Sequence, residues 1–424
     1  MGLALGFLLP SRVRSRLRGC VVALPHGAVL AVASLLPLSA AQAQSFTWGG
    51  AGSTTATTGY QLDTNWSNPP VGAPPISAGQ SAVFDATGST SVVTGFVSPN
   101  SWTFNAASQP YSISGDDVTF SLAGASGGII NNANAGQTIS ISNNIGETGP
   151  GVRLQQSGSS TLVLTGTNSY TGGTTISAGT LQLGNGGTTG AIAGDVVDDG
   201  HLVFARSNTV TYGGTISGTG SVTIQNGPGG FTLLTGNSSY TGGTTISSGI
   251  LVIGNGGTTG SIVGDIVNNS QLTFSRSDDV TFDGQITGSG ALSKFGAGTL
   301  TLTADNTYSN GTVIAAGTLQ LGNGGTTGNI GSSTLNDGGT LAFNRSNLLS
   351  FDAMIFGTGN VVQSGSGTTV LTAANSYQGG TTISAGTLQV TNSSSVGSGA
   401  VTLDGGTFRS GAANLSFANG RAQL

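Results

Sequence analysis

The sequence predicts an all-β protein: a parallel β-helix (β-solenoid) with about three coils per 69-residue repeat. The first observation is a phrase that recurs four times. It reads TLVLTGTNSYTGGTTISAGTLQLGNGGTTG from Thr161 to Gly190 and FTLLTGNSSYTGGTTISSGILVIGNGGTTG from Phe231 to Gly260. It returns as TLTLTADNTYSNGTVIAAGTLQLGNGGTTG from Thr299 to Gly328, then from Thr368 as TTVLTAANSYQGGTTISAGTLQVTNSSSVG, without the GNGGTT ending. Its tyrosines, Tyr170, Tyr240, Tyr308 and Tyr377, stand 70, 68 and 69 residues apart, and a fixed period of this kind sets the architecture. The second observation is that the apolar runs inside the period are short and alternate with Thr and Ser, as half-buried strands do. The third is that no stretch of the repeat region carries a 3.6-residue apolar stripe.

The linking segments repeat as well. AIAGDVVDDGHLVFARSNTVTYGGTISGTGSV (191–222) matches SIVGDIVNNSQLTFSRSDDVTFDGQITGSGAL (261–292) and, more loosely, 329–361. The first unit therefore offers the strands TLVL, TTIS, TLQL, DVV, HLVF, TVTY, GTIS and SVTI, with Gly and Asn supplying the corners. A solenoid coil takes roughly 20 to 25 residues and three short strands, so three coils fit one unit. Such a unit buries its apolar side only against the coils above and below. Leu162, Leu164, Ile176, Leu181, Leu183, Leu202, Phe204, Val222 and Ile224 are the expected inward positions. An antiparallel sandwich is the competing architecture, but its strands run nearer five to six residues.

Composition agrees with a thin core. The chain has 424 residues, 74 of them Gly, with 36% hydrophobic and 6% charged. Residues 1–43 stand apart. Arg12, Arg14, Arg16 and Arg18 precede an apolar stretch, Val21 to Leu38, and Ala41-Gln42-Ala43 offers a cleavage site, the layout of a secretory signal peptide. Its removal leaves 7 of 11 basic residues against 16 acidic ones, a net charge of about −9, which disfavours nucleic acid as a partner. Cys20, the one cysteine, leaves too, so the exported chain has no disulfides.

Residues 44–158 are less regular and read as an N-terminal cap with the first coils, ahead of the four repeats in 159–424. Trp48, Trp66 and Trp102 are all the tryptophans of the chain. Large rings can cover an open coil end; a carbohydrate-stacking platform is the sharper reading of the same residues.

No residue is assigned a catalytic, cofactor-binding or metal-binding role. His201, the one histidine left after cleavage, opens HLVF where the second copy has Gln271, and reads as a solvated outward side chain. With no second histidine and no cysteine, zinc ligation and a Cys–His pair are unavailable. Asp116-Asp117, Asp198-Asp199 and Asp278-Asp279 are adjacent acids, and neighbours along a strand point to opposite faces. Asp198-Asp199-Gly200 reads as a turn, since Asn268-Asn269 occupies the same place in the second copy. GNGGTTG has neither the Asp of calcium-binding nonapeptides nor the Lys of a phosphate loop, and reads as a tight corner. Arg206, Arg276 and Arg345 fall at matching positions. Three coils apart they stand about 14 Å from one another along the axis, as corner residues or as a receptor-binding row.

The string LTGTNSYTGGTTISAGTLQLGNGG, in its four copies over about 159–408, resembles the autotransporter-associated β-strand repeat, also called the passenger-associated transport repeat. The entry FTWGG, YQLDTNW and SAVFD also resembles the start of such passengers. The resemblance implies a right-handed parallel β-helix that crosses an outer-membrane pore and folds outside the cell of a Gram-negative bacterium. It implies no cofactor. It also implies a partner, an outer-membrane β-barrel translocator, that is absent from this chain, so the chain reads as part of a longer or split passenger. The expected work is that of a structural stalk that assists its own secretion. A surface adhesin for a host glycan or matrix is the second reading, and a polysaccharide-degrading β-helix the third. If the export segment works as read, N-terminal sequencing of the exported protein finds Gln44 within two residues. A start near Met1 contradicts it.

Overall fold

A computed structural model describes residues 44–48, 59–61, 66–67, 74–122, 124–413, 415 and 422–423. The stretch read as an export signal, with Ala41-Gln42-Ala43, lies outside the described residues. The regular elements among the described residues are all strands. They stack into parallel sheets that form a β-solenoid of about 16 coils, so the antiparallel sandwich is excluded. In the ten-stranded sheet, Thr161–Leu164 is followed by Thr180–Leu183, His201–Phe204, Ser221–Gln225, Thr244–Ser248, Ile266–Asn268 and Ile286–Thr287. Six steps cover the 125 residues from 161 to 286, about 21 residues per coil.

The ladders are in register, and this makes the core. Leu162 stacks on Leu181, then Leu202, then Val222, while Leu164 stacks on Leu183, then Phe204, then Ile224. These eight side chains and Ile176 are at most 1% exposed, as the alternation predicts. Each contributes about 1.5–3 kcal/mol by leaving water, and only because the next coil covers it.

The repeat is not a whole number of coils. After three ladder steps from Thr161–Leu164 the chain is at Ser221–Gln225, short of the second copy. The second copy's first strand, Phe231–Leu234, follows on the next face, in another sheet. The third copy's Thr299–Leu302 lies in a third sheet and the fourth copy's Thr368–Leu371 in a fourth. One unit is thus three coils plus one face, and each copy is turned by about a third of a revolution from the last.

At the start of the solenoid, Trp66–Ser67 pairs antiparallel with Gln44–Trp48 at the edge of the nine-stranded sheet. The other named ladders are parallel. Trp48, Trp66 and Trp102 are at most 6% exposed. They pack in an aromatic cluster with Tyr60, Phe84, Phe104, Tyr111 and Phe120. Each indole N–H is satisfied: Trp48 donates to Ser89 O, Trp66 to Tyr60 O, and Trp102 to the Tyr60 hydroxyl. The carbohydrate-platform reading is therefore overturned, since none of these rings faces solvent. Trp102→Ala removes a fully buried indole and should cost about 3–5 kcal/mol. An unchanged chemical-denaturation midpoint would show that the cluster does not hold this end of the solenoid.

Candidate functional site

The recurring polar features are built at the corners, where a turn leaves backbone groups outside the sheet ladders. In the repeated phrase the residue two before the tyrosine serves them. Asn168 accepts from Ile145 N and donates to Gly166 O and Ala191 O. Asn306 accepts from Ile286 N and donates to Ala304 O and Asn329 O. Asn375 accepts from Ile355 N and donates to Ser395 O. In the second copy Ser238 keeps the acceptor half, from Ile216 N. Each ties one coil to its neighbours. The tyrosine beside it is buried, and its hydroxyl meets a threonine four residues on. Tyr170–Thr174, Tyr240–Thr244, Tyr308–Thr312 and Tyr377–Thr381 lie at 2.6–2.8 Å. Burial pushes all four phenols above their ordinary value, so they are neutral hydrogen-bonding groups and not acids. In the sequence these tyrosines mark only the period, since nothing in the phrase itself pairs each with the threonine four residues on.

The three arginines are corner clasps. Arg206, Arg276 and Arg345 are 7–9% exposed, and a guanidinium is buried only with its donors paired. Arg206 donates to Gly190 O at 3.2 Å, Thr188 O at 2.5 Å and Asn208 Oδ1 at 3.0 Å. Arg276 repeats this on Gly260 O, Thr258 O and Asp278, and Arg345 on Gly328 O, Thr326 O and Asn347. Arg345 adds an ion pair to Asp305. The GNGGTTG segment of one coil thus presents its carbonyls to the arginine of the next. Gly190 holds φ +103°, and a Cβ there would fall 2.3 Å from Gly184 N, which is why that position is glycine. The receptor-binding row is corrected on two counts. The guanidiniums are buried, and they follow strands of three different sheets, because each unit adds one face to its three coils.

His201 is half-buried, not simply solvated. Its Nδ1 meets Ser221 Oγ at 2.8 Å on the next coil, and desolvation lowers its pKa. Gln271 makes the same bond to Ser293 Oγ in the second unit, so the pair reads as a rung between coils and not as a base and its nucleophile. Asp198 and Asp199 diverge. Asp199 is exposed and accepts from Thr219 N and Oγ1. Asp198 points inward and is fully buried. Its Oδ1 accepts from Gly200 N at 3.1 Å, while its Oδ2 has no hydrogen-bond partner. Asp337 repeats this in the third unit: Oδ1 accepts from Gly339 N and Oδ2 is unpartnered. Between them in the series, Asn268 accepts from Ser270 N and gives its Nδ2 to Ala291 O at 2.8 Å. Desolvation, the largest cause, raises both carboxyls to about 6. Asp116 and Asp117 are both exposed, and Asp278 is held by Arg276 while Asp279 accepts from Thr299 N. Among the described residues no three His, Cys, Asp or Glu side chains group as metal ligands would.

Stacked parallel coils with buried polar corners define a β-solenoid repeat protein. The passenger-associated-transport-repeat family matches at residues 154–183, 217–253, 292–321 and 361–390. The chain is also 35% identical over 211 residues to a protein named adhesin BmaC autotransporter of Brucella suis biovar 1 (strain 1330). That alignment takes in 44% of this chain and 6% of the relative. No solved structure matches the chain. The chain thus carries four repeats of the passenger-associated-transport-repeat type, and part of it is similar to an autotransporter.

The buried acids give a pH test. A carboxyl whose pKa rises on folding, from 3.8 to about 6, favours the native state most below pH 4. That contribution is lost as pH rises through 6, on the order of 3 kcal/mol for each acid. The double variant Asp198→Asn and Asp337→Asn, in which each amide can donate as Asn268 does, should therefore gain stability over the wild type as pH goes from 4.5 to 7.5. Denaturation midpoints with a pH-independent gap would show that neither acid carries the linkage.

Proposed function

We infer that this chain is the β-helical stalk of a secreted or outer-membrane-surface protein of a Gram-negative bacterium, with a structural, non-enzymatic role. In this reading residues 1–43 direct export, 44–158 cap and start the solenoid, and 159–424 extend it. A β-barrel translocator in the outer membrane is the partner in secretion. The observation that carries the reading is the set of four repeat matches along one in-register solenoid. Its physical basis is that a coil is stable only on a finished neighbour. Each coil completed outside the cell then opposes backsliding of the chain through the pore. The relative's name, an adhesin, supports an adhesive surface as a second element.

The test is surface display in the native cell, with protease accessibility and antibody labelling of intact bacteria as readouts. The wild-type chain should be labelled. Leu302→Pro, which removes a ladder N–H and crowds a fully buried position, should lower display sharply while a substitution at exposed Thr188 does not. Equal display of all three separates secretion from coil formation, and retention of the wild type inside the cell refutes export.

A further inference from the structure

The second unit departs from the other three at one corner. Between the last inward residue of one strand and the start of the next copy the others have four residues: SGSS after Gln156, FGAG after Lys294 and SGSG after Gln363. The second unit has six, QNGPGG, between Ile224 and Phe231. Phe231 stands where the other copies have Thr161, Thr299 and Thr368, and Ile250 where they have Thr180, Thr318 and Thr387. Phe231 pairs directly with Ile250 across the coils, facing out. Phe231 is 36% exposed.

These departures meet in one groove of about 770 Å³, within the range of small-ligand sites. Phe231 and Ile250 supply an apolar strip. Pro228 and its flanking glycines form one bank. Gln182, Asn185 and Gln225 bring amides, the last two exposed. No lining residue carries a charge.

We propose that this groove binds a neutral oligosaccharide. A sugar ring has an apolar C–H face that lies on an aromatic ring and an equatorial rim of hydroxyls that amides both donate to and accept from. A charged ligand finds no counter-charge here. The proposal rests on the surface-exposed reading above for access to a ligand, and it names the class of ligand that the adhesive element takes.

The test is saturation-transfer NMR on the whole exported chain, with chitotriose, mannotriose and cellotriose as neutral probes and trigalacturonate as the charged comparator. At least one neutral trisaccharide should saturate, and trigalacturonate should not. Phe231→Thr and Ile250→Thr install the residues that the other units carry, so the fold should tolerate both. Each should weaken binding at least tenfold, and Phe231→Tyr should retain it. Gln225→Ala, at an exposed position, gives a second measure should either variant misfold. The proposal is overturned if no neutral trisaccharide binds, if trigalacturonate binds as well, or if binding survives both threonine variants. Loss of trisaccharide binding in Phe231→Thr with undiminished attachment of bacteria to host matrix leaves the groove standing and removes the adhesive reading alone.

Discussion

The structure depends on each corner's backbone polar groups being satisfied, by a neighbouring coil or by a side chain buried beneath the corner. Three turns per coil interrupt the sheet ladders, and a buried amide or carbonyl left without a partner costs about 1–3 kcal/mol. With 6% charged residues the chain has few ions to spend on this, so Asn, Tyr, Thr and Gly do most of it. Asn168, Asn306 and Asn375 accept from one coil and donate onward. The three arginines fill the largest gaps, at the wide GNGGTTG corners. In the fourth unit the wide corner is gone, and Ala412 stands where the arginine would fall. Loop and clasp disappear together, as expected if the guanidinium is there for the carbonyls and for no external ligand.

A unit of three coils and one face has a consequence for the surface. In a repeat of whole coils, equivalent residues line up in stripes along one side. Here every equivalent position moves to the next face, so Arg206, Arg276 and Arg345 follow strands of three different sheets. The repeated residues thus serve the stack and give no side of it a chemistry of its own. Specificity has to come from places where one unit breaks the pattern, and the corner around Pro228 is such a place.

Much of the fold was legible in the sequence because its causes are local. Alternation set the inward face, and Leu162 through Ile224 are buried as read. The third of a turn was not legible. It is the remainder when a unit of about 69 residues is divided by a coil of about 21, and short strand runs separated by turns of varying length do not define the coil that finely. The corner chemistry was legible only in part. Asp198 followed by Asp199 and Gly200 reads as a turn, and it is one, but nothing in the triplet says that the first carboxyl points into the core while the second meets Thr219. The Trp residues were ambiguous for a different reason, since the same rings can close an end or present a platform, and only packing against Tyr60 and Phe84 decides.

The strongest case for corner satisfaction as the controlling constraint is the position held by Gln156, Ile224, Lys294 and Gln363. It is buried in every unit, yet its chemistry ranges from amide to ammonium to hydrocarbon. What is preserved is a bond to the carbonyl two residues on. Gln156 Nε2 donates to Gly158 O at 2.7 Å, Lys294 Nζ to Gly296 O at 2.8 Å, and Gln363 Nε2 to Gly365 O at 2.8 Å. Lys294 adds Phe295 O and Ala316 O, which is how the one lysine of the chain is accommodated at 1% exposure, with its pKa lowered by desolvation. Ile224 cannot donate. In that unit the matching carbonyl, Asn226 O, receives the hydroxyl of Ser248 at 2.8 Å, and Ser248 stands where the other units have Ala178, Ala316 and Ala385. The donor has moved from the core to the neighbouring coil. Once the corner no longer leans on a side chain beneath it, it is free to lengthen, and the two extra residues of the second unit that open the groove at Phe231 sit at this corner.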